Sequence, residues 1–360
     1  MTTNEQHAQP GDILPSVSHD GAIMPSHRKA SLYERVARRA QPVERERAMP
    51  HRPIMLGVVG DSAAGKTTTS AGIAAILGAD RVTIIGVDDY HRYDRVQRRA
   101  LNMTALHPEC NYIDIIEQHL RSLSEGQPIL KPVYNHKAGI FEPPEYIKPR
   151  EFVIVEGLLG FHTPRLRDCF HVKVFLDPDE DLRRAWKLKR DCTTRGYTPA
   201  EVLAELALRE SEAAMFVRPQ RSWGDIVVRF YAPDGPSDID NLNVQLILRT
   251  TLPHPDLSAV AAQSDNQRMH LRVGRDDGRL VEFLDVDGRL TKDQAALIEE
   301  AIWANTPDVQ RSRPDQIGMF AEGEETRQSD LLGLVQLLIG RHLLQARKEK
   351  EQLLRQSQSH

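Results

Sequence analysis

Apolar residues in this chain fall into short continuous runs separated by longer stretches with helical period. The runs at 54–59 (IMLGVV), 81–87 (RVTIIGV), 151–157 (EFVIVEG), 172–177 (VKVFLD) and 226–231 (IVVRFY) are rich in Val and Ile and do not alternate with polar positions. Strands of that kind are buried on both faces, as in a parallel sheet covered by helices. Between and after them the pattern predicts helices over 66–78, 112–124, 178–192 and 199–214. The alternation predicts a doubly wound, mostly parallel α/β domain over 53–232, whose ligands sit beyond the carboxyl ends of its strands.

The pattern changes after the turn-rich segment APDGPSD at 232–238. Three strand-like runs follow (NVQLILR, RMHLRVG, RLVEFLDV), with hairpin-type turns at Arg275–Gly278 and Asp287–Gly288, then helices over 291–304 and from Leu331 onward. Residues 233–360 therefore read as an α+β extension, and the leucine-rich start of its last helix predicts a core or self-association surface, hence a homo-oligomer. At the other end, residues 1–52 are rich in Pro, Gln, Ser, His and charge, with a brief helical pattern in SLYERVARRA, and read as a mostly disordered leader.

Composition narrows the function classes. With 40% hydrophobic and 27% charged residues, 360 residues can bury a large core. A net charge of −4 carries no basic surplus, so nucleic acid is not an implied partner. No apolar run approaches the ~18 residues of a membrane span, and the first 50 residues contain no signal-peptide core. Cys110, Cys169 and Cys192 are odd in number and lack metal-ligand spacing, which fits free thiols in a reducing cytoplasm.

The strongest chemical signal joins the first strand to the first helix. Gly60, Gly65, Lys66 and Thr67 satisfy G-x-x-x-x-G-K-[ST], with a strand before and a helix after as the required context. Glycines let successive N–H groups converge on one anion, and the helix dipole faces the same phosphates. Lys66 would then neutralise the β- and γ-phosphates, and the Thr67 hydroxyl would ligate magnesium.

Further chemistry sits at the other strand ends. Asp88 and Asp89 follow the second strand, where a carboxylate can take the proton of an acceptor hydroxyl. His91 and Arg95, a helical turn apart, read as a site for an anionic substrate group. Glu156 ends a wholly apolar run and reads as a magnesium- or water-positioning acid. Tyr134 and His136 lie two apart on an extended segment and share a face. On the helix at 178–192, Lys187 and Arg190 are i, i+3 neighbours, Asp191 adjoins them, and Arg195 follows in a Gly-containing loop able to act as a lid, whereas Arg183, Arg184 and Lys189 read as a solvated face.

Taken in order, GDSAAGKTT, VDDYHRYDR, TALHPECNYID, KPVYNH, VIVEG, WKLKRD and TRGYT resemble the larger cyanobacterial and plant form of phosphoribulokinase, within the phosphoribulokinase/uridine kinase family. The resemblance implies a P-loop NTPase-type fold and ATP on Gly60, Asp61, Ser62, Ala63, Ala64, Gly65, Lys66, Thr67 and Thr68, with Mg2+ on Thr67 and Glu156. It implies Asp88 as base, with Lys66 and Asp191 supporting catalysis, and ribulose 5-phosphate among His91, Arg95, Tyr134, His136, Lys187, Arg190 and Arg195. The implied reaction is phosphorylation of D-ribulose 5-phosphate to the 1,5-bisphosphate, a Calvin-cycle step. Plant and cyanobacterial relatives carry regulatory cysteines where this chain has Ala64 and Gly86, so a thioredoxin-type switch through that pair is absent.

Uridine kinase shares the loop, a catalytic Asp after the second strand and a His-Pro segment like His107–Pro108, and is the alternative within the kinases. A nucleotide-binding regulator without catalysis would be free to lose Lys66, Asp88 and Glu156, all of which are present.

Overall fold

A computed structural model describes residues 52–233, 242–258, 261, 268–304, 306, 317–322 and 325–357, all within one compact unit. All but Arg52 of the leader expected over 1–52, with its helical pattern, and most of the 232–238 turn lie outside the described residues.

In chain order the elements are β1 (Ile54–Gly60), α1 (Lys66–Leu77), β2 (Val82–Gly86), α2 (Arg95–Ala100), α3 (Ile113–Ser124), β3 (Ile129–Asn135), β4 (Ile140–Ile147) and β5 (Phe152–Gly157). Then come α4 (Pro164–Arg167), β6 (Val172–Leu176), α5 (Glu180–Thr194), α6 (Pro199–Glu212), β7 (Ile226–Tyr231) and β8 (Asn243–Arg249). The extension continues with β9 (Met269–Asp276), β10 (Arg279–Val286), α7 (Lys292–Ala304), β11 (Met319–Glu322), β12 (Glu325–Gln328) and α8 (Asp330–Ser357). Predicted helix ends shift by one or two residues; the helix expected over 178–192, for example, runs Glu180–Thr194 because Asp179 caps it, accepting from the Asp181 backbone N–H.

One eight-stranded sheet orders as β2-β5-β1-β6-β7-β8-β10-β9. The pairs from β2 to β7 are parallel, and β7–β8, β8–β10 and β10–β9 are antiparallel. The extension therefore prolongs the same sheet, and the boundary expected at 232 falls inside a continuous structure.

Strand β1 shows why its sequence is apolar throughout. Ile54, Leu56 and Val58 enter one core with Ile73 and Leu77 of α1 and Leu334, Val335 and Leu338 of α8. Met55 and Val59 enter a second core on the opposite face with Ile116 and Leu120 of α3. The leucine-rich half of α8 is buried from Leu331 to Leu344 inside this chain, so the feature that predicted self-association is taken up by the intrachain core.

The sequence reading did not include β3, β4, β11, β12 or the short helices α2 and α4. Strands β3 and β4 form a separate antiparallel hairpin, bulged between Lys131 and Val133, with Pro132, Pro143 and Pro144 in its strands. Proline withholds a ladder hydrogen bond and argues against a strand in sequence, but an isolated two-stranded ribbon has free edges that tolerate it.

Candidate active site

The carboxyl ends of β1, β2 and β5 converge on one site. After β1 the chain turns through Ala63 (φ 65°) and Gly65 (φ 91°) into α1. Gly65 occupies the N-cap in the left-handed region with no side-chain cap, so the first N–H groups of α1 stay available to an anion. Lys66 Nζ folds back over the loop and donates to the carbonyls of Gly60 and Asp61, each at 2.9 Å. Burial lowers the Lys66 ammonium from its ordinary range, opposed by the charges of Asp88, Asp61 and Glu156. Inside the loop the Asp61 carboxylate accepts from the Ser62 N–H at 2.6 Å, Ala64 is buried, and Thr68 lies in the first turn of α1.

Thr67 Oγ1 donates to Glu156 Oε1 at 2.9 Å, while Glu156 Oε2 is buried without a hydrogen-bond partner among the described residues. An orphaned carboxylate oxygen beside an exposed threonine hydroxyl suits a hard divalent cation that keeps most of its shell as water and phosphate oxygen. The donor set thus fits magnesium.

Asp88 leaves the end of β2, and its Oδ1 accepts from the Leu158 backbone N–H at 3.1 Å. Gly157 permits this approach: a Cβ there would strike Val87 and lie 3.0 Å from Asp88 Oδ1. Asp89 turns away to a different task. It pairs with buried Lys131 of β3, accepts from the Tyr134 backbone N–H at 3.4 Å, and lies 3.8 Å from His136 Nε2, which fastens the β3–β4 hairpin beside Asp88.

The hairpin and α2 carry the acceptor side. His91 and Arg95 do not share a helix, contrary to their spacing. The Asp94/Gln97 capping box starts α2 at Arg95 and leaves His91 in an isolated bridge to Asn111. His91 is buried; desolvation and the Arg98 charge push its imidazole down to about 4, so it is neutral near pH 7 and supplies no charge to an anion. Arg95 donates to the carbonyls of Lys137 (3.3 Å) and His136 at the hairpin turn. Tyr134, expected to grip substrate, is buried: its hydroxyl accepts from Arg98 at 2.9 Å, and its ring packs edge-on against His91, His136 and Phe141. His136 is partly open, and burial holds its imidazole below the ordinary value.

Helix α5 closes the site with a charge cluster. Asp191 is 0% exposed and accepts from Lys187 Nζ at 2.7 Å and Arg190 Nε at 2.8 Å, with Arg195 Nη1 at 3.5 Å. Burial would raise the Asp191 carboxyl, but the bonds from Arg190 and Lys187 outweigh it and hold the group below its ordinary range. Lys187 is 1% exposed and saturated by Asp191, which makes it a buried support, in contrast to its expected substrate contact. Arg190 Nη2 is buried without a hydrogen-bond partner among the described residues, and the Arg190 charge is felt at Lys66. The Arg195 charge is felt at His136. The structure thus brings Lys66, Thr67, Asp88, Glu156, His136, Arg190, Asp191 and Arg195 to one region, with buried His91 adjoining it, its ring 5.8 Å from the His136 ring and within reach of the Asp88 charge, and sets Tyr134 and Lys187 behind it.

Arg183 departs from the solvated face assigned to it. It is buried, donates to the Ser62 carbonyl at 2.9 Å, lies 3.6 Å from Asp61 Oδ2, and is held by Glu180 at 2.7 Å, so α5 clasps the phosphate loop through it. Arg184 and Lys189 are exposed as expected. Sequence reasoning also passed over Arg98 and Asn111; Arg98 lies i+3 from Arg95 on α2, while no periodic signal marks Asn111.

Comparison with known proteins bears on the family and the fold. The model of the phosphoribulokinase / uridine kinase family matches residues 55–233. A phosphoribulokinase of Synechocystis sp. is 36% identical over 178 residues, covering 49% of this chain and 54% of that relative. A uridine kinase of Chloroflexus aggregans is 35% identical over 185 residues, covering 50% of this chain and 88% of that relative. The chain spans about half the length of the phosphoribulokinases it matches. Among solved structures, phosphoribulokinase from Rhodobacter spheroides superposes with a TM-score of 0.52 at 19% identity, covering 69% of this chain and 95% of that one, which shows the shared fold.

Proposed function

From the premise that this chain belongs to the phosphoribulokinase/uridine kinase family, we propose that it transfers the γ-phosphate of ATP to D-ribulose 5-phosphate, giving ADP and ribulose 1,5-bisphosphate. The observation that carries this reading is the cationic cluster around Asp191, whose Arg190 charge is felt at Lys66 and whose Arg195 charge is felt at His136, with Arg190 Nη2 buried and without a hydrogen-bond partner among the described residues. A neutral nucleoside acceptor needs no such groups, whereas a sugar phosphate does.

The roles follow from the geometry. The α1 N-terminus, the loop N–H groups and Lys66 hold the nucleotide phosphates. Thr67 and Glu156 would hold magnesium, which when bound neutralises charge on the phosphates. Asp88, at hydrogen-bonding distance from the Leu158 N–H and free on its other oxygen to meet the acceptor, takes the hydroxyl proton as that oxygen attacks the γ-phosphorus and the bond to the β-phosphate oxygen breaks. Arg190 and Arg195 orient the acceptor through its 5-phosphate, and Asp191 orients them. The three cysteines are unpaired thiols, which supports a reducing compartment such as the cytoplasm.

The second reading, a uridine kinase, draws on the wider coverage of that relative. Coupled ADP-release assays with ribulose 5-phosphate, uridine and other sugar phosphates decide between them. Turnover with ribulose 5-phosphate at least 100-fold above uridine is expected; the reverse preference overturns the proposal.

A further inference from the structure

The hydrogen bonds of Asn111 determine the tautomer of His91. Asn111 Nδ2 donates to two backbone carbonyls, of Ala105 and His107, each at 3.0 Å. Both amide hydrogens are thereby used, and turning the amide over would set its oxygen against two carbonyl oxygens. Asn111 Oδ1 must therefore be the atom that faces His91 Nδ1, at 2.8 Å, and since that oxygen can only accept, Nδ1 carries the hydrogen. The main chain keeps the two residues in register: Arg92 N–H donates to the Cys110 carbonyl at 2.7 Å and Tyr112 N–H to the Tyr90 carbonyl at 2.9 Å. His91 Nε2 makes no hydrogen bond to a described residue.

We propose that Asn111 is a positioning residue that locks His91 in the Nδ1–H tautomer, so that Nε2 meets the acceptor as a lone-pair site for one of its hydroxyl groups and not as a cation for its phosphate. The naming of the acceptor rests on the reading above; the tautomer does not. The groups around the ring agree with a neutral imidazole. Arg98 opposes a second proton, as does His136; Asp88 favours one, and the Tyr134 ring fills one side without charge. The 5-phosphate is then left to the arginines of α5, and His91 discriminates hydroxyl pattern.

The test combines spectroscopy with kinetics on the full chain. With 15N-labelled histidine and no ligand present, long-range 1H–15N correlation spectra should show one histidine, lost in His91→Gln, that is protonated at Nδ1 and bare at Nε2 from pH 8 down to about 5. A histidine in the Nε2–H tautomer, or doubly protonated at pH 7, overturns the proposal without any variant of Asn111 having to fold. Asn111→Ser should move the spectrum toward Nε2–H and raise the acceptor KM roughly 2- to 10-fold, the worth of one neutral hydrogen bond, with the ATP KM unchanged. An unchanged acceptor KM in Asn111→Ser together with an unchanged spectrum refutes the role. Should ribulose 5-phosphate prove not to be turned over while the Nδ1–H tautomer is found and the true acceptor loses affinity in Asn111→Ser, the inference stands and the substrate reading alone falls.

Discussion

Asp191→Asn should be among the most damaging single substitutions on α5, and its cost can be worked from the contacts. The carboxylate is 0% exposed and neutralises Lys187, itself 1% exposed, while bonding Arg190 and approaching Arg195. Asparagine keeps the volume but strands the Lys187 ammonium, whose next acid, Glu205, is 3.9 Å away. Breaking one side of a buried ion pair costs about 3–5 kcal/mol. Lys187→Met should cost only about 1–2 kcal/mol, because Asp191 then still has Arg190 and Arg195, and those side chains are 35% and 47% exposed and can adjust. In the double variant no cation is left stranded in the core, so it should be more stable than Asp191→Asn alone, a coupling of about 1–3 kcal/mol. Urea titrations followed by Trp186 fluorescence on the same helix measure all three. In parallel, Arg190 loses its orienting bond, and the acceptor KM should rise more than the ATP KM. An Asp191→Asn cost under about 1 kcal/mol, or a Lys187→Met cost exceeding it, refutes the view that this carboxylate is the hub.

The base, the loop clasp, the thiols and the buried histidines each give a further expectation. Asp88→Asn should lower kcat by about 10²- to 10⁴-fold with ATP affinity retained, while Asp89→Asn, which loosens Lys131 and the hairpin, should act mainly on stability and acceptor KM; steady-state kinetics with both variants separate these roles. Arg183→Met removes the bond to the Ser62 carbonyl and should raise the ATP KM roughly 10-fold with little change for the acceptor, measurable by varying each substrate at saturation of the other. Activity should be the same after dithiothreitol or a mild disulfide-forming oxidant, since Ala64 and Gly86 stand at the switch positions and burial pushes the Cys169 thiol up to about 11; oxidative loss that survives Cys192→Ser contradicts this. His91 and His171 are each depressed to about 4 by burial, so the unfolded chain binds their protons first as pH falls below about 6.5, and folding stability should drop by about 1.4 kcal/mol per pH unit per histidine until both protonate in the fold, as urea midpoints from pH 7 to 4 would show.

The sequence by itself determined the sheet, the phosphate loop and the strand-end acids, because each rests on local order: an apolar run long enough to be buried on both faces, glycines at the turn, and a charge placed at or just past the end of a strand. Asp88 and Glu156 could be placed beside the loop for that reason alone, since parallel strands deliver their carboxyl ends to one edge. What only the tertiary structure decided is which of the remaining polar groups face the site and which support it. Arg183 and Lys187 sit one turn apart on α5 with similar local sequence, yet one clasps the Ser62 carbonyl 121 residues away and the other is sealed against its i, i+4 neighbour Asp191, because burial of this face against the rest of the fold, which helix periodicity does not specify, determines their surroundings. Likewise the prolines of β3 and β4 hid a hairpin whose seating depends on Lys131 reaching Asp89, and His91 is kept neutral by burial and by Arg98, while its tautomer depends on an asparagine 20 residues on, whose amide is oriented by carbonyls of its own loop. Long-range ion pairs and buried hydrogen bonds take their energy from burial, which is a property of the folded chain and leaves no period in the sequence.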